Sequence, residues 1–542
     1  MIRTILFFAL FCLLSMGLAA IQLFTTAELS AESVRTKMTW ENSTVGSLSP
    51  SNLLTFLAPK FYGWITGIME MDRASGTFTN GSPFWGGEGG HLFWETTLFI
   101  GITPLLLMIT AFSGLRKNKL FLLWMGLGLF FLLAAFGKNG PVYPLLFKLP
   151  GFNLFRHPGR FAFIFSFSFI LAAALSLDYL AGLIRNPNPA LLSTTKRALY
   201  IGSGILGLLL LLSLTTLSGL DAAKAEAARQ AVLWGLFAII IIALLIGLLL
   251  KTGRPSAAYG LIAFTFLELF LFGYRFGCGK QTGQEAYPSD TRLDAIRAEI
   301  AQNPYRLQGR IFEGPGKGVR LFPHLNMGMV YEIPLVEGYN QLHLQRLSRF
   351  VHEVDPQKEM ALLNVRYRAH PSGQGFIVAL PDSFCARFSL RSTLITADSG
   401  GEAIQFINSP SFDPLRQAII ESKPSLVFDS SLLPEQLGTV RIRTYSANEI
   451  TLFVQAAANA LLFASEVWYP AWHAEVDGKK VPILRTNYLF RGVELTKGEH
   501  QVRFYYHSDA MRKGMWVTLI SLLLVAGLWV GFSGFHNIAT QK

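Results

Sequence analysis

The sequence predicts a polytopic α-helical membrane protein with about eight transmembrane helices and a large extracytoplasmic α+β domain that ends in a β-sandwich. Composition is the first reason: 51% of the 542 residues are hydrophobic and 15% are charged, against about 25% charged residues in soluble proteins. The second reason is a series of apolar runs of about 20 residues, the length that crosses a bilayer. The third is a long segment of ordinary polarity, residues 276–511, which precedes the last apolar run.

The apolar runs define the predicted spans. Arg3 precedes the first run, as in a signal peptide, but this run is longer than the usual apolar core of a signal peptide and favours a retained span. The runs cover residues 2–24, 95–115, 120–137, 161–184, 198–219, 231–250, 258–275 and 514–534.

Lysine and arginine in the short loops orient these spans, because positive charge accumulates on the cytoplasmic side. The loops at 116–119, 185–197 and 251–254 are basic and fall on the same side. Both termini are therefore predicted to be cytoplasmic and the large domain extracytoplasmic. The loop at 138–160 is basic but falls outside, and charge that breaks the rule is more readily explained by a function.

We divide the chain into four parts. Residues 1–275 form a membrane domain with the first seven predicted spans and an outer loop at 25–94. Residues 276–437 form an extracytoplasmic mixed α/β region, and residues 438–511 form the β-sandwich. Residues 512–542 contain the final transmembrane helix and a short cytoplasmic tail.

Periodicity separates the two extracytoplasmic parts. Apolar residues at helical spacing predict helices over 289–300, 341–352 and 401–407. From residue 438 onward, short segments with turn signals between them predict strands, and Asp477-Gly478 is a strong signal for a hairpin. Strands at this spacing are typical of a small β-sandwich.

A basic segment, FNLFRHPGRF, precedes the fourth span. It places Arg156, His157 and Arg160 around a predicted bend at Pro158-Gly159. Arginine suits bidentate phosphate binding, so we predict a lipid-phosphate or pyrophosphate site; the alternative is simple anchoring to lipid headgroups. The net charge of +12 is likewise assigned to anionic membrane lipid and not to nucleic acid.

The first outer loop contains ionisable residues near the predicted membrane surface. Its Gly- and aromatic-rich part, residues 80–96, brings Glu88, His91 and Glu95 to the mouth of the second span. Such residues are costly at membrane depth and often functional, so His91 and Glu95 are candidates for acceptor or sugar contact. The alternatives are solvated loop residues for Glu88 and His91, and an interfacial carboxylate for Glu95.

The predicted sandwich carries four aromatic residues that could form a sugar-stacking platform, Trp468, Tyr469, Trp472 and Tyr488, of which Trp468 and Trp472 are the candidates for sugar contact. The alternative is that they are core or edge residues of the sandwich. Within the spans, Glu268 is a candidate partner of Arg275. No metal-binding motif occurs in the sequence, and no metal is predicted.

Several stretches along the chain resemble the bacterial YfhO family of large membrane proteins. They include SLSPSNLLTFLAPKFYG at 47–63, LPGFNLFRHPGRF at 149–161, YEIPLVEGYNQL at 331–342 and the long segment 465–506. The resemblance implies a GT-C-type glycosyltransferase-like protein of the bacterial plasma (inner) membrane. Such proteins take a sugar from a polyprenyl-phosphate donor on the outer face and pass it to an envelope polymer, glycolipid or protein; no other cofactor is expected.

The chain departs from the family at its N-terminus. Full-length relatives carry further spans ahead of the region that matches residues 1–24, and GT-C enzymes place the catalytic acid in their first outer loop. No residue here corresponds to that acid, so the catalytic residue is unassigned, with Asp72 and Glu88 as the candidates that the first outer loop of this chain offers. We therefore expect either a split or truncated member, which needs a separate chain for the missing spans, or a member that has lost catalysis.

Two functions follow from these observations. One is a polyprenyl-phosphate-sugar-dependent glycosyltransferase, or its C-terminal half, in cell-envelope glycosylation. The other is a non-catalytic accessory protein that binds lipid-linked sugar or glycopolymer.

Overall fold

The computed structural model describes most of the chain. The described residues are 2–35, 38–63, 70–71, 78–79, 96–149, 151–274, 291–302, 306–308, 310–312, 318–320, 326–336, 338, 340, 342–369, 377–379 and 384–539.

The described helices occur along the whole chain and are most frequent in its first half. In chain order they are α1 (Ile2–Leu18), α2 (Ala20–Glu32), α3 (Trp40–Ser43), α4 (Ile102–Leu115), α5 (Lys119–Ala135), α6 (Tyr143–Phe147), α7 (Ala162–Arg185), α8 (Pro189–Ser213), α9 (Ala222–Thr252), α10 (Pro255–Gly273), α11 (Thr291–Gln302), α12 (Gly328–Tyr331), α13 (Gln345–Glu353), α14 (Pro356–Leu362), α15 (Gly400–Asn408) and α16 (Asp509–Ala539). Short 3-10 helices cover Pro50–Phe56, Gly137–Asn139, Phe152–Leu154, Pro158–Phe161, Leu214–Leu217 and Pro434–Gln436.

Most of the described strands lie in the second half of the chain. They are β1 (Glu70–Met71), β2 (Phe78–Thr79), β3 (Arg306–Gln308), β4 (Arg310–Phe312), β5 (Gly318–Arg320), β6 (Val365–Ala369), β7 (Ile377–Ala379), β8 (Phe388–Arg391), β9 (Thr393–Thr396), β10 (Gln417–Ile420), β11 (Gly438–Tyr445), β12 (Glu449–Ala456), β13 (Ala460–Val467), β14 (Trp472–Val476), β15 (Lys479–Val481), β16 (Leu484–Thr486), β17 (Phe490–Leu495) and β18 (Gly498–Tyr506).

The chain forms two compact units. The helical unit comprises Lys37–Asp72 and Thr77–Ala286, and the C-terminal unit comprises Met1–Thr36, Arg73–Gly76 and Tyr287–Lys542. The first apolar helices, α1 and α2, therefore belong to the same unit as the strand-rich region.

Apolar helices in both units support a membrane protein. Among the described residues, five helices are long and apolar enough to cross a bilayer: Pro158–Arg185, Pro189–Leu217, Ala222–Thr252, Pro255–Gly273 and Asp509–Gly531. The pair α1 and α2, bent by 67°, makes six if it is one span. The predicted spans at 95–115 and 120–137 contain shorter apolar helices, α4 and α5, of 14 and 17 residues. The total of about eight spans thus stays a prediction.

Small residues let the helices of the helical unit approach one another, as is common in membrane bundles. A Cβ at Gly202 of α8 would lie 2.4 Å from Ile109 of α4, and one at Gly128 of α5 would lie 2.6 Å from Phe169 of α7. The buried core around these contacts includes Leu106, Ala172 and Ile242.

A buried carboxylate holds the start of α4. Both oxygens of Glu268, on α10, accept the backbone N–H of Ile102, at 3.1 and 3.2 Å. Helix N-termini leave backbone donors unpaired and favour negative charge, so Glu268 acts as a cap supplied from a neighbouring helix. Its predicted partner, Arg275, lies outside the described residues.

In the C-terminal unit, two sheets bury side chains in one shared core. Among the described residues, the six-stranded sheet has the order β8-β13-β17-β16-β10-β9 and the five-stranded sheet has the order β11-β12-β18-β14-β15. Phe388 and Leu462 from the first sheet pack with Leu452 and Phe504 from the second. Strands from both sides of residue 438, the predicted start of the sandwich, pair in the six-stranded sheet.

Helices cover another part of the six-stranded sheet. Phe350 of α13 and Ile404 of α15 pack with Phe463 and Phe490 of β13 and β17. The predicted hairpin at Asp477-Gly478 is confirmed: β14 pairs antiparallel with β15, and both turn residues have positive φ, 51° and 77°, as a type I′ turn requires.

The first and last apolar helices pack within this unit. The backbone N–H of Ile21 in α2 donates to the Thr518 hydroxyl of α16 at 3.1 Å. Gly514 allows this approach, since a Cβ there would lie 2.7 Å from the Cα of Ile21.

Candidate functional site

The basic segment forms two short 3-10 helices, Phe152–Leu154 and Pro158–Phe161, that lead directly into α7. His157 adopts a left-handed conformation, φ 66° and ψ 70°, which is uncommon for residues other than glycine. The Gly159 N–H donates to the Gly46 carbonyl at 3.1 Å and fixes the chain after this turn. The bend predicted at Pro158-Gly159 therefore begins one residue earlier.

The three predicted phosphate-binding residues line one cavity of about 630 Å³ in the helical unit. Arg160 is exposed, Arg156 is half-buried, and His157 is 9% exposed. The Arg156 Nε is buried and has no hydrogen-bond partner among the described residues. The structure thus brings the three residues together; phosphate binding by them stays a prediction.

Aromatic and aliphatic side chains form the rest of this cavity. Phe155 and Phe163 are 68% and 78% exposed beside it. Tyr143 and Ser43 anchor the segment, because their hydroxyls lie 2.6 Å apart and the Ser43 hydroxyl donates to the Phe155 carbonyl at 2.9 Å. Cations next to an exposed apolar wall suit an anion that carries an apolar chain.

Four predicted residues lie outside the described residues: Asp72, Glu88, His91 and Glu95. The other two candidates for sugar contact, Trp468 and Trp472, are described, and each has an arginine stacked on its ring. The guanidinium carbon of Arg485 lies 3.8 Å from the ring centroid of Trp468, and that of Arg491 lies 3.8 Å from Trp472. Trp472 also contacts Tyr506 edge to face, with 5.7 Å between centroids.

Trp472 borders a second, larger cavity of about 1220 Å³ within the C-terminal unit. One wall is the polar face of α2, with Thr25 and Glu28, and another includes Asn326, Glu332 and His343. The sheet side contributes Glu466, Tyr469, Trp472, Arg491 and Tyr506. Trp468 is absent from the lining of this cavity in the described part of the chain.

A buried ion cluster lies behind this cavity. Glu466 accepts from Arg387 Nε at 2.6 Å and from the Tyr445 hydroxyl at 2.8 Å, and it lies 3.8 Å from Arg306. Burial raises the pKa of the Glu466 carboxyl, but the surrounding guanidinium groups outweigh this and hold the pKa below its usual range. Burial lowers the pKa of Arg306 and of Arg491 to about 10, so both stay charged at neutral pH.

Tyr469 joins α2 to the sheet side of the larger cavity. Its hydroxyl donates to Glu28 at 3.0 Å, and burial together with this carboxylate raises the pKa of Tyr469. The tyrosine rings of Tyr469 and Tyr506 lie nearly parallel, with 6.3 Å between centroids. Among these residues the sequence indicated Tyr469 and Trp472 as candidates for sugar contact, whereas Glu466 and Arg491 carried no recognisable signal.

Residues 433–518 match the family model described as bacterial membrane protein YfhO. The matched region contains β11–β18 and the first turns of α16, and hence Glu466, Tyr469, Trp472, Arg491 and Tyr506 of the larger cavity. No curated protein matches the chain. This match confirms the resemblance seen in the sequence over residues 433–518, and together with the apolar helices it supports a membrane protein of the YfhO family.

Proposed function

We propose that this protein is a polyprenyl-phosphate-sugar-dependent glycosyltransferase, or the C-terminal half of one, that acts in cell-envelope glycosylation. One observation carries the proposal: Arg156, His157 and Arg160 share a cavity with exposed phenylalanines at the start of a predicted span. A lipid phosphate needs both parts, since cations bind its charge and the apolar wall accepts its chain.

The reaction assigns a clear task to these residues. An acceptor hydroxyl oxygen forms a bond to C1 of the sugar, the bond from C1 to the phosphate oxygen breaks, and the lipid phosphate leaves with the electron pair. Arg156 and Arg160 stabilise the negative charge on that leaving phosphate. The proton of the acceptor hydroxyl goes to a carboxylate base, for which Asp72 and Glu88 are the candidates in this chain.

The proposed topology follows from the charge of the short loops. Both termini are cytoplasmic, about eight helices cross the bacterial plasma membrane, and the sheets of the C-terminal unit form an extracytoplasmic sandwich. The donor then reaches the basic segment from the outer leaflet. A separate chain that supplies further spans and a catalytic acid is the proposed partner.

The second candidate function is a non-catalytic accessory protein that binds lipid-linked sugar or glycopolymer. The described lining of the smaller cavity favours it in one respect, because it contains cationic and aromatic residues without a carboxylate. Binding needs the arginines alone, whereas transfer also needs a base.

The double variant Arg156→Ala/Arg160→Ala tests the proposal in cells that lack the native gene. We expect the loss of envelope glycosylation at unchanged protein level, because the donor phosphate loses its cations. Arg185→Ala is the matched control, since Arg185 is an exposed arginine at the other end of α7. Normal glycosylation in the double variant would remove the proposed role of the basic segment.

Purified protein separates the two candidate functions. With a radiolabelled polyprenyl-phosphate sugar, an accessory protein binds the lipid in an arginine-dependent way and releases no labelled product with any acceptor. A glycosyltransferase transfers the label, either alone or after addition of its partner chain.

A further inference from the structure

We propose that the larger cavity is a second ligand site, which binds a sugar unit carrying a phosphate or carboxylate group. The cavity lies between α2 and the sheets of the C-terminal unit, in a part of the chain separate from the basic segment. A role of this ligand as the sugar acceptor rests on the proposed function, whereas the binding itself does not.

The charge of the buried cluster points to an anion. In the described part of the chain, the guanidinium groups of Arg306, Arg387 and Arg491 surround the single carboxylate of Glu466. Buried charge without a counterion is costly. Glu28 and Glu332 also line the cavity, so an anionic ligand would supply the missing negative charge in the part of the cavity beside Arg491.

In the described part of the chain, Arg491 both lines the cavity and has a guanidinium nitrogen without a hydrogen-bond partner. Arg387 donates to Glu466 and Tyr445, and Arg306 donates to the Ser465 hydroxyl and to carbonyls. Arg491 is 3% exposed, and its Nε donates to the Val467 carbonyl at 2.9 Å. Its Nη1 is buried without a hydrogen-bond partner among the described residues.

The position of Arg491 is fixed by its neighbours. The ring of Trp472 covers one face of its guanidinium group, and the bond to Val467 holds Nε. A guanidinium group held in one plane is prepared for a phosphate or carboxylate, since it does not lose further side-chain freedom on binding.

The rest of the lining suits a sugar. Aromatic rings of Trp472, Tyr469 and Tyr506 provide surfaces for the C–H faces of a sugar ring. Glu28, Thr25 and Ser508 provide acceptors and donors for its hydroxyl groups. The volume of about 1220 Å³ exceeds that of common small-molecule pockets, about 300–1000 Å³, and leaves room for more than one sugar unit.

Binding to the full-length protein in nanodiscs of neutral phosphatidylcholine tests this site. The probes are the anionic sugars glucose 6-phosphate and glucuronate. Glucose, which has no charge, and inorganic phosphate, which has no sugar, are the comparison ligands. Calorimetry measures the affinity of each. We expect both anionic sugars to bind at least about tenfold more tightly than glucose or phosphate alone. Arg491→Met should weaken that binding at least about tenfold, the effect typical of a lost charged hydrogen bond.

The matched control is Arg485→Met. Arg485 stacks on Trp468 at the same 3.8 Å distance but does not line the cavity in the described part of the chain, so its loss should leave binding unchanged. The melting temperature of Arg491→Met shows whether the variant folds. Because Glu466 keeps Arg387 and Arg306, and because methionine preserves apolar contact with Trp472, we expect that temperature to stay the same or to rise.

Several results would overturn the site. Equal binding of glucose and glucose 6-phosphate would exclude the anion, and equal binding of inorganic phosphate would exclude the sugar. If phosphatidylglycerol is added to the nanodisc and displaces the probes completely, the site binds a lipid headgroup instead. Unchanged affinity in a folded Arg491→Met variant, or no binding by the wild type at about 10 mM, would also refute it. None of these results bears on Arg156 and Arg160, so failure here is distinguishable from failure of the proposed function.

Discussion

The guanidinium group of Arg491 lies over the ring of Trp472, with 3.8 Å between its carbon and the centre of the ring, and both residues border the larger cavity. Arg485 and Trp468 form an equivalent stack with the same 3.8 Å separation. Neither residue belongs to the described lining of the cavity. The two tryptophans thus share their local chemistry and differ in their access to the cavity.

The first prediction uses this pair. Trp472→Ala should weaken the binding of glucose 6-phosphate at least about tenfold, because it removes a ring surface and frees the guanidinium of Arg491 to move. Trp468→Ala should leave the affinity unchanged, although it removes an equivalent stack. Calorimetry on both purified variants measures this, and equal losses of affinity would mean that the aromatic residues act through the stability of the sheet.

The second prediction concerns Glu466 and its arginines. Glu466→Gln should lower the free energy of unfolding by about 3–5 kcal/mol, the usual result of removing one partner from a buried ion pair. Urea titration of the variant measures the loss. Arg416→Gln is the control, because the ion pair of Arg416 with Asp413 is exposed, and such pairs contribute about 0–1 kcal/mol.

The third prediction is the pH dependence that Glu466 causes. Its pKa is lower in the folded protein than in the unfolded chain, where a glutamate has a pKa of about 4.3. The stabilisation is therefore complete above about pH 4.3 and declines as the pH falls through the folded pKa. The slope of melting temperature against pH in this acid range should be smaller in Glu466→Gln; an identical slope in both proteins would contradict the assignment.

The fourth prediction concerns Glu268 as a helix cap. Glu268→Ala should reduce the stability of the helical unit by about 1–2 kcal/mol, because the Ile102 N–H at the start of α4 loses its buried acceptor. Glu268→Gln keeps an acceptor oxygen at the same place and should lose clearly less. Thermal unfolding in detergent compares the variants, and equal losses from both would mean that the negative charge at Glu268, and not the hydrogen bond, stabilises the helix.

The fifth prediction contrasts two glycines with positive φ. Gly478 in the β14–β15 turn has open space where a Cβ would stand, so Gly478→Ala should cost about 1–2 kcal/mol of backbone strain. At Gly438, at the start of β11, a Cβ would collide with the Gln455 carbonyl oxygen. Gly438→Ala should therefore destabilise more than Gly478→Ala; the reverse order in urea titrations would argue against the pairing of β11 with β12.

Local sequence patterns were sufficient for much of the strand-rich region. The dipeptide Asp477-Gly478 specifies a turn by its own backbone preferences, and the structure has that turn. The helices predicted over 289–300 and 401–407 appear as α11 and α15, because apolar spacing of this kind reports the buried face of a helix.

Local sequence patterns could not predict the long-range contacts. Tyr469 and Glu28 are separated by 441 positions, and no periodicity connects residues at that distance. Arg491 lies on β17, and Trp472, on which it stacks, lies on another strand, β14. In contrast, the proximity of Arg156, His157 and Arg160 could be predicted, because they lie within five consecutive residues.

The order of strands in the six-stranded sheet has a consequence for the segment that carries the family match. Residues 433–518 contribute β13, β17 and β16, while β8 on one flank and β10 with β9 on the other come from earlier in the chain. If this segment were expressed alone, β13 and β16 would become bare edges with unpaired backbone donors and acceptors, and bare edges invite aggregation. The segment that matches the family model therefore lacks the strands that cover both sides of its part of the sheet, whereas a fragment that starts near residue 384 would retain β8, β9 and β10.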